Sequence, residues 1–563
     1  MVEYKNYEVE LYPDLLRLSR RAGARRGLRP LFLKKSGSNV EEISYRRFAS
    51  DVDALGTELL ARGYAKKHVM IVGENSYGWA CAYVAVAGGL GVAVPADPKL
   101  DATELASIAQ AANVSLVICS ARLQKKLNAT DLSVKTLTFT DLDALIHAGK
   151  LRLSRGDRRF ADLAPDPDRL CTLLYPAGAN GRAIMLSNTN LCFSLAQISR
   201  MVEIKEDDVF LSVLPLHHAY ETVCGFLLPL SRGAAIGFSS GLHELSLDMR
   251  LIRPTVIIGV PRLCEAIHTN LRKNLRDRGL ESKLKLGLQS TNALGSERAR
   301  LAARRKIFSG VHRAFGGRLR LILSCGANQD PSVAEGLRNL GIGVLQGYVV
   351  GEATALIALN RDECSQNRSV GMPLPATLLD VYNEGEDGIG EIRCRGKHVM
   401  LGYCGNAELT EERIRGGWLH TGDVGYIDAD GFLHVIGKKR NAIALGDGFV
   451  CPEELEVRLL TSRFVRECVV VGYQQGENGS VDLVAIIHPD YEQIESLYGF
   501  TYRRAQLELE LKRAIAEVNA SVLPQKRIKA FLVRETAFPK TASGAIPRVS
   551  VADLYRKVYS GEK

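Results

Sequence analysis

No two of the twelve cysteines are spaced as a C-x-x-C pair. That argues against a zinc site and against a disulfide framework, and for a reducing compartment, here the cytoplasm. The opening stretch, MVEYKNYEVELYPD, mixes charges of both signs and has no apolar core, so no secretory signal is expected. No internal repeat, low-complexity tract or nucleic-acid module appears, and nucleic acid is not an expected partner. The uncharged run Trp79–Ala96 is dominated by alanine, broken at Gly88-Gly89 and closed by Pro95. It fits a buried helix followed by a buried strand better than a membrane span.

What is present is an ordinary globular composition, 46% hydrophobic and 24% charged. A chain of 563 residues is too long for one core and predicts about two to four domains. The net charge of +10 is modest, but residues 272–306 hold eleven Lys or Arg against three Asp or Glu. That stretch reads as a solvated helical face or, alternatively, as a contact for an acidic membrane surface.

Apolar β-rich runs alternate with helical patterns through the first three-quarters. Lys67–Gly73, Val114–Ser120, Asp208–Leu216, Thr255–Pro261 and Arg318–Ser324 read as strands. Their alternation with helices predicts parallel sheets covered by helices. Beyond about Asp380 short strands and turns take over, as in a small β-rich subdomain. The last 120 or so residues read as a compact α+β unit, with strands at CVVVGY, DLVAIIH and IKAFLVRE and a helix around Tyr502–Val518.

Four stretches look like ligand loops. In LLYPAGANGRAIMLSNTNL a strand runs into Gly178 and Gly181 and then into an expected helix. Glycines at such a turn let backbone N–H groups approach a phosphate, although alone the stretch reads as a structural turn. In LQGYVVGEAT, Glu352 follows a strand and a glycine, where a carboxylate can hold Mg²⁺ beside phosphates or simply face solvent. In the segment Gly416–Glu456, Asp423 sits in a tight turn, and Lys438, Lys439 and Arg440 follow Gly437. The fourth is FPKTASGAIPR, Phe538 to Arg548, a glycine loop with basic flanks and an uncharged tip.

Taken in order, and with LPLHHAYE, SVGMPLP, GWLHTGDVGYIDADGFLHVIGKK and CPEELE, these stretches resemble the AMP-forming adenylate superfamily. The match is nearest to bacterial long-chain acyl-CoA synthetases and extends over essentially the whole chain. The resemblance implies an α/β fold: a large N-terminal domain of two parallel-sheet α/β subdomains plus a β-subdomain, and a small mobile α+β C-terminal domain. It implies residues 1–436 for the first, with the β-rich part about 380–436, a hinge at 437–440 and the second domain at 441–563. It implies ATP or AMP, Mg²⁺ and coenzyme A as ligands, and a fatty acid or acyl-CoA as the acyl partner; an acyl carrier protein is a possible acceptor. Carried over by position, Gly178, Gly181 and Arg182 meet phosphate, Tyr348 and Gly351 flank the nucleotide, Asp423 and Lys438 hold the ribose, and Glu352 holds Mg²⁺. Arg440 marks the hinge, and His217, His218 and Tyr220 border the acyl channel.

The same comparison exposes departures. Where the family has Thr-Ser-Gly-Thr-Thr-Gly and a following Lys-Gly, this chain has Pro176-Ala177-Gly178-Ala179-Asn180-Gly181 and then Arg182. Tyr-Gly-x-Thr-Glu has become Tyr348-Val349-Val350-Gly351-Glu352. The lysine that bridges carboxylate and α-phosphate is replaced by Ala545. The expectation is an acyl-CoA synthetase-like protein impaired in adenylation, a pseudoenzyme; the alternative is an active ligase with altered loops, or one that only forms thioester from acyl-AMP.

Overall fold

The computed structural model describes residues 6–37, 39–129, 134–176, 182–241, 244–326, 329–385, 388–445, 448–474, 481–499, 502–539, 546 and 548. The chain divides into two compact units. The first comprises Met1–Asp380, Arg393–Thr421 and Ile427–His434; the second comprises Val381–Ile392, Gly422–Tyr426 and Val435–Lys563.

The first unit carries two large sheets. In the seven-stranded sheet, Val92–Ala96, His68–Val72, Val114–Cys119 and Lys135–Thr138 lie side by side and parallel. Val69 to Val72 are wholly buried, as are Leu116 to Cys119. Strands covered on both faces read as unbroken apolar runs rather than alternating ones, which is why these segments stood out in the sequence. The Trp79–Ala96 run becomes the helix Tyr77–Ala85, one turn of π-helix at Val86–Leu90 and the strand Val92–Ala96. Trp79 and Tyr83 stack inside it with ring centroids 5.1 Å apart. Two covering helices, Tyr45–Ala61 and Asp141–Ser154, pack so closely that a Cβ on Gly149 would lie 1.9 Å from the Ala54 carbonyl oxygen.

The nine-stranded sheet is parallel at its centre, in the order Ala235–Phe238, Val209–Ser212, Val256–Gly259, Leu321–Cys325, Gly343–Val349. Helices Pro261–Asp277 and Pro331–Asn339 bury Leu263, Ile267, Leu271, Ala334 and Leu337 in one core with Ile257 and Ile322. The second unit is built on three strands, Val465–Gln474, Val481–Pro489 and Ile528–Val533, covered by helices Pro452–Leu459 and Arg504–Ala520. The fold is thus mixed α/β with parallel sheets and an α+β C-terminal unit. All twelve cysteines are free, ten of them buried. Among the described residues no helix is long and apolar enough to cross a membrane.

Candidate functional site

The loop that carries Gly178 and Gly181 leaves the strand Leu170–Leu174; both glycines lie outside the described residues. The chain re-enters at Arg182 and forms a second strand, Ile184–Ser187, antiparallel to the first. The expected helix therefore does not open on this loop, which closes a β-hairpin instead. The helix starts only at Asn188, and its first N–H groups are spent: Ser187 and Asn190 cap it reciprocally. Asn190 Nδ2 also donates to the Lys397 and Val399 carbonyls, at 2.8 and 2.9 Å. Ile184 and Leu186, alternating with Met185 and Ser187, suit a strand paired on both edges, with Gly402–Tyr403 beyond it.

Glu352 sits just past the strand Gly343–Val349, in a tight turn at Gly351–Ala353. Thr354, at φ 70°, closes the turn, its hydroxyl donating to the His398 carbonyl at 2.7 Å. Met400 N–H donates to the Glu352 carbonyl at 2.8 Å, and Tyr403 O–H donates to Glu352 Oε1 at 2.7 Å. Burial first, and then the Glu352 charge, raises the Tyr403 phenol well above its ordinary range, so it remains a donor; Arg182 and Arg413 are close enough to oppose the shift. A Cβ on Gly351 would lie 3.3 Å from Ile184 Cδ1. Arg182, Gly351, Glu352 and Tyr403 are therefore gathered in one place. Tyr348 lies on the same strand, 7% exposed, opposite Ala358. Tyr403 was not legible in the sequence: it stands 51 positions from Glu352, and no local spacing links the two.

His217, His218 and Tyr220 follow the strand Val209–Ser212 of the same sheet, with two strands between it and Gly343–Val349. Tyr220 O–H donates to the Leu323 carbonyl at 3.0 Å, and Leu323 pairs in register with Leu345 on the strand that leads to Tyr348. The set thus emerges from the same C-terminal edge of the parallel sheet, where α/β folds place their ligands. The His217 and His218 rings lie 4.2 Å apart, and His217 Nε2 is 3.9 Å from Asp97 Oδ2. Burial, then the neighbouring His218, pulls His217 down to about 3, so the ring is neutral near pH 7. Next along the chain, Glu221 opens a turn of π-helix, Glu221–Leu227, and is wholly buried. Burial pushes its carboxyl up to about 8 although Ser212 Oγ donates to it at 2.6 Å. The motif LPLHHAYE contained this residue, but only the structure shows that it is an internal carboxylic acid.

The remaining candidates belong to the second unit. Asp423 is buried and ion-paired with Lys438. The adjacent Lys439 donates to Glu391 Oε2 at 2.8 Å, and Glu391 Oε1 also accepts from Gly422 N–H at 3.2 Å. The basic cluster read in sequence is therefore divided, and Arg440 is exposed with no ion-pair partner among the described residues. Ala545 lies outside the described residues, but both flanks of its loop are anchored. Phe538 is buried against Val469 and Ile486, and its N–H donates to Glu467 at 2.9 Å. Arg548 donates to Glu456 at 2.8 Å, and Val470 N–H donates to the same carboxylate at 2.7 Å.

The groups suit a nucleotide better than a resident metal. Among the described residues no cluster of three His, Cys, Asp or Glu could cage an ion. Glu352 alone, half-exposed and steadied by Tyr403, fits Mg²⁺ that arrives mainly on phosphates.

The family described as AMP-binding enzyme matches residues 20–404. Fatty acyl-CoA synthetase A of Dictyostelium discoideum is 29% identical over 84% of this chain and 76% of its own. Long-chain-fatty-acid–CoA ligase 6 of Mus musculus is 26% identical over 86% and 76%. Among solved structures, ATP-bound MatB from Rhodopseudomonas palustris superposes with a TM-score of 0.73 at 20% identity, covering 97% of this chain and 99% of that one. The anthranilate CoA ligase AuaEII in complex with anthranoyl-AMP gives 0.71 at 18% identity, covering 97% and 98%.

Proposed function

This chain belongs to the AMP-binding enzyme family, and on that premise we propose that it is an acyl-CoA synthetase-like protein of the long-chain fatty acid ligase group whose ATP-dependent adenylation step is impaired. The observation that carries the reading is Ala545, which stands where the family resemblance calls for lysine. An ammonium there meets negative charge as it builds between carboxylate and α-phosphate. Loss of such a donor from a dry site costs about 3–4 kcal/mol, roughly 10²–10³-fold in rate. The loop Pro176–Gly181 has lost its hydroxyls and its lysine as well. In this reading Glu352 presents its carboxylate to phosphate-bound Mg²⁺, which would neutralise phosphate charge. Arg182 lies beside the phosphates with Gly178 and Gly181, Tyr348 and Gly351 line the nucleotide, and Asp423 takes the ribose hydroxyls with Lys438 over it. His217, His218 and Tyr220 border a fatty acyl chain, and residues 437–440, with Arg440, form the hinge between residues 1–436 and 441–563. The protein works in the cytoplasm, and the basic stretch 272–306 rests on acidic membrane surfaces.

A second reading is favoured by one feature: the Glu352 and Asp423 seats keep their supporting partners. On that reading acyl-AMP is still accepted, and thioester formation with coenzyme A or a carrier-protein thiol survives without adenylation. Pyrophosphate release with ATP, Mg²⁺ and fatty acids of graded length tests the first half-reaction, and acyl-AMP with coenzyme A tests the second. Impaired adenylation predicts release at least about 10²-fold below an ordinary ligase. Turnover within about tenfold of one would overturn it.

A further inference from the structure

At the opposite end of the nine-stranded sheet lies a cavity of about 590 Å³ lined by Arg250, Arg253, Ser309, Arg313, Gly316 and Gly317. Arg250 and Arg253 close the helix Leu245–Ile252, just before the strand Val256–Gly259 begins. Ser309 to Gly317 precede the strand Leu321–Cys325. Both segments therefore sit at strand beginnings, whereas His217 and Glu352 follow strand ends and Tyr348 is the last residue but one of its strand. The two places are separated by the length of the sheet.

Three guanidinium groups converge on this cavity, and no carboxylate is among the described residues that line it. Among the described residues, none of the three arginines makes an ion pair. Arg278 stands close by: a Cβ on Gly310 would lie 3.5 Å from Arg278 Nη1 and 3.7 Å from Arg313 Nη2. Arg253 is held in the left-handed region at φ 54°, a place where helices usually end in glycine or asparagine. Its Nε–H donates to the Gly316 carbonyl at 3.2 Å, which leaves the other donors of its fork unspent. The turn that accepts this bond can close only on glycine, because a Cβ on Gly316 would lie 2.2 Å from the Met249 carbonyl oxygen. Like charges drawn into one concave site, with a serine hydroxyl beside them, match the charge of a phosphate group, whose oxygens the planar guanidinium forks can meet in bidentate pairs.

We propose that this cavity is a binding site for a phosphate-bearing anion, distinct from the nucleotide site and unused by acyl activation. The test is phenylglyoxal labelling of the full chain, read by peptide mass spectrometry, with and without inorganic phosphate. Arg250, Arg253 and Arg313 are expected to be protected and Arg272 is not. Protection spread evenly over the exposed arginines overturns the site. Binding of glycerol phosphate, and of phosphatidylcholine vesicles containing phosphatidic acid, then separates a soluble ligand from a lipid headgroup. Whichever binds, the triple variant Arg250→Gln, Arg253→Gln, Arg313→Gln weakens it by about tenfold or more. The control Lys34→Gln, Lys125→Gln, Lys126→Gln removes the same charge from exposed positions outside both the cavity and the stretch 272–306, and leaves binding within about twofold. An equal loss in the control means general charge attraction and overturns the proposal. Should the triple variant unfold early, Arg313→Lys keeps the charge, loses the fork, and must still weaken binding.

Discussion

Replacing Glu221 by glutamine should change the pH dependence of stability of the first unit strongly between about pH 4.5 and 8. The carboxyl is wholly buried and takes one hydrogen bond from Ser212, and among the described residues Oε2 has no partner. Gly225 crowds it: a Cβ there would meet Glu221 Oε1 at 2.3 Å. Burial raises the group from 4.5 to about 8 in the folded chain. Between these values the unfolded chain has released the proton while the folded chain retains it. Stability contributed by this group is thus complete below about pH 4.5 and is lost as pH rises towards 8, by about 1.4 kcal/mol per unit. The sum is on the order of 5 kcal/mol across the window. Glutamine keeps the shape and cannot ionise, so above pH 8 the variant should be the more stable protein. Buried histidines slope the other way below pH 6.5, but they cancel in the difference between the two proteins. The chain has two tryptophans, Trp79 and Trp418, and both belong to the first unit. Urea unfolding followed by tryptophan fluorescence at pH 5 to 9 therefore reads the right part of the molecule. Parallel profiles for the two proteins would refute the reasoning.

His398 is wholly buried on the Phe193 ring, with neither ring nitrogen partnered among the described residues, and burial holds it down to about 4. Its stabilising contribution is lost as pH falls from 6.5 towards 4, so His398→Leu should flatten the acid limb by about 1.4 kcal/mol per pH unit in the same fluorescence assay. Glu456→Ala leaves Arg548 with only the Glu453 carboxylate, 3.4 Å from its Nε, and Val470 N–H without its Glu456 acceptor; a loss of about 3 kcal/mol is expected in the hydrogen-exchange stability of the strands Val465–Gln474 and Val481–Pro489. Glu456→Gln, which keeps the acceptor, should cost about half of that. Tyr403→Phe removes the donor to Glu352 and should weaken Mg²⁺-dependent nucleotide binding by about 1 kcal/mol in calorimetry, with binding of Mg²⁺-free AMP unchanged. Ala545→Lys alone should restore little pyrophosphate release, since the loop Pro176–Gly181 stays altered; large recovery would show that loop to be competent.

The sheets were legible in the sequence because strands such as His68–Val72 and Val256–Gly259, buried on both faces, leave runs of consecutive apolar residues. The strand after Gly181 was not, because Ile184–Leu186 is equally the start of an amphipathic helix, and only pairing with Leu170–Leu174 decides between them. Site residues on recognisable loops, such as Glu352 and Asp423, could be named from order and spacing. Lys438 could be named with them, but Tyr403 and Glu391 could not, because only tertiary contact brings them in. Glu221 is the sharpest case. As the last residue of LPLHHAYE it looked unexceptional, and its neutrality follows from burial. The arginines of the cavity come from two segments some sixty positions apart, so composition counted their charge without locating it.

The second compact unit is stitched from three stretches of chain, 381–392, 422–426 and 435–563. A unit laid out in this way cannot be inherited as a cassette. A single recombination event that imported residues 441–563 from a relative would bring the C-terminal loop with Glu456 and Arg548, yet leave Glu391, Asp423, Lys438 and Lys439 behind. Two charge pairs would then be made by one parent and the loop at Ala545 by the other. Exchanges that swap the tip of this loop must therefore keep compatible two small inserts lying far upstream, which favours change by point substitution over change by block transfer.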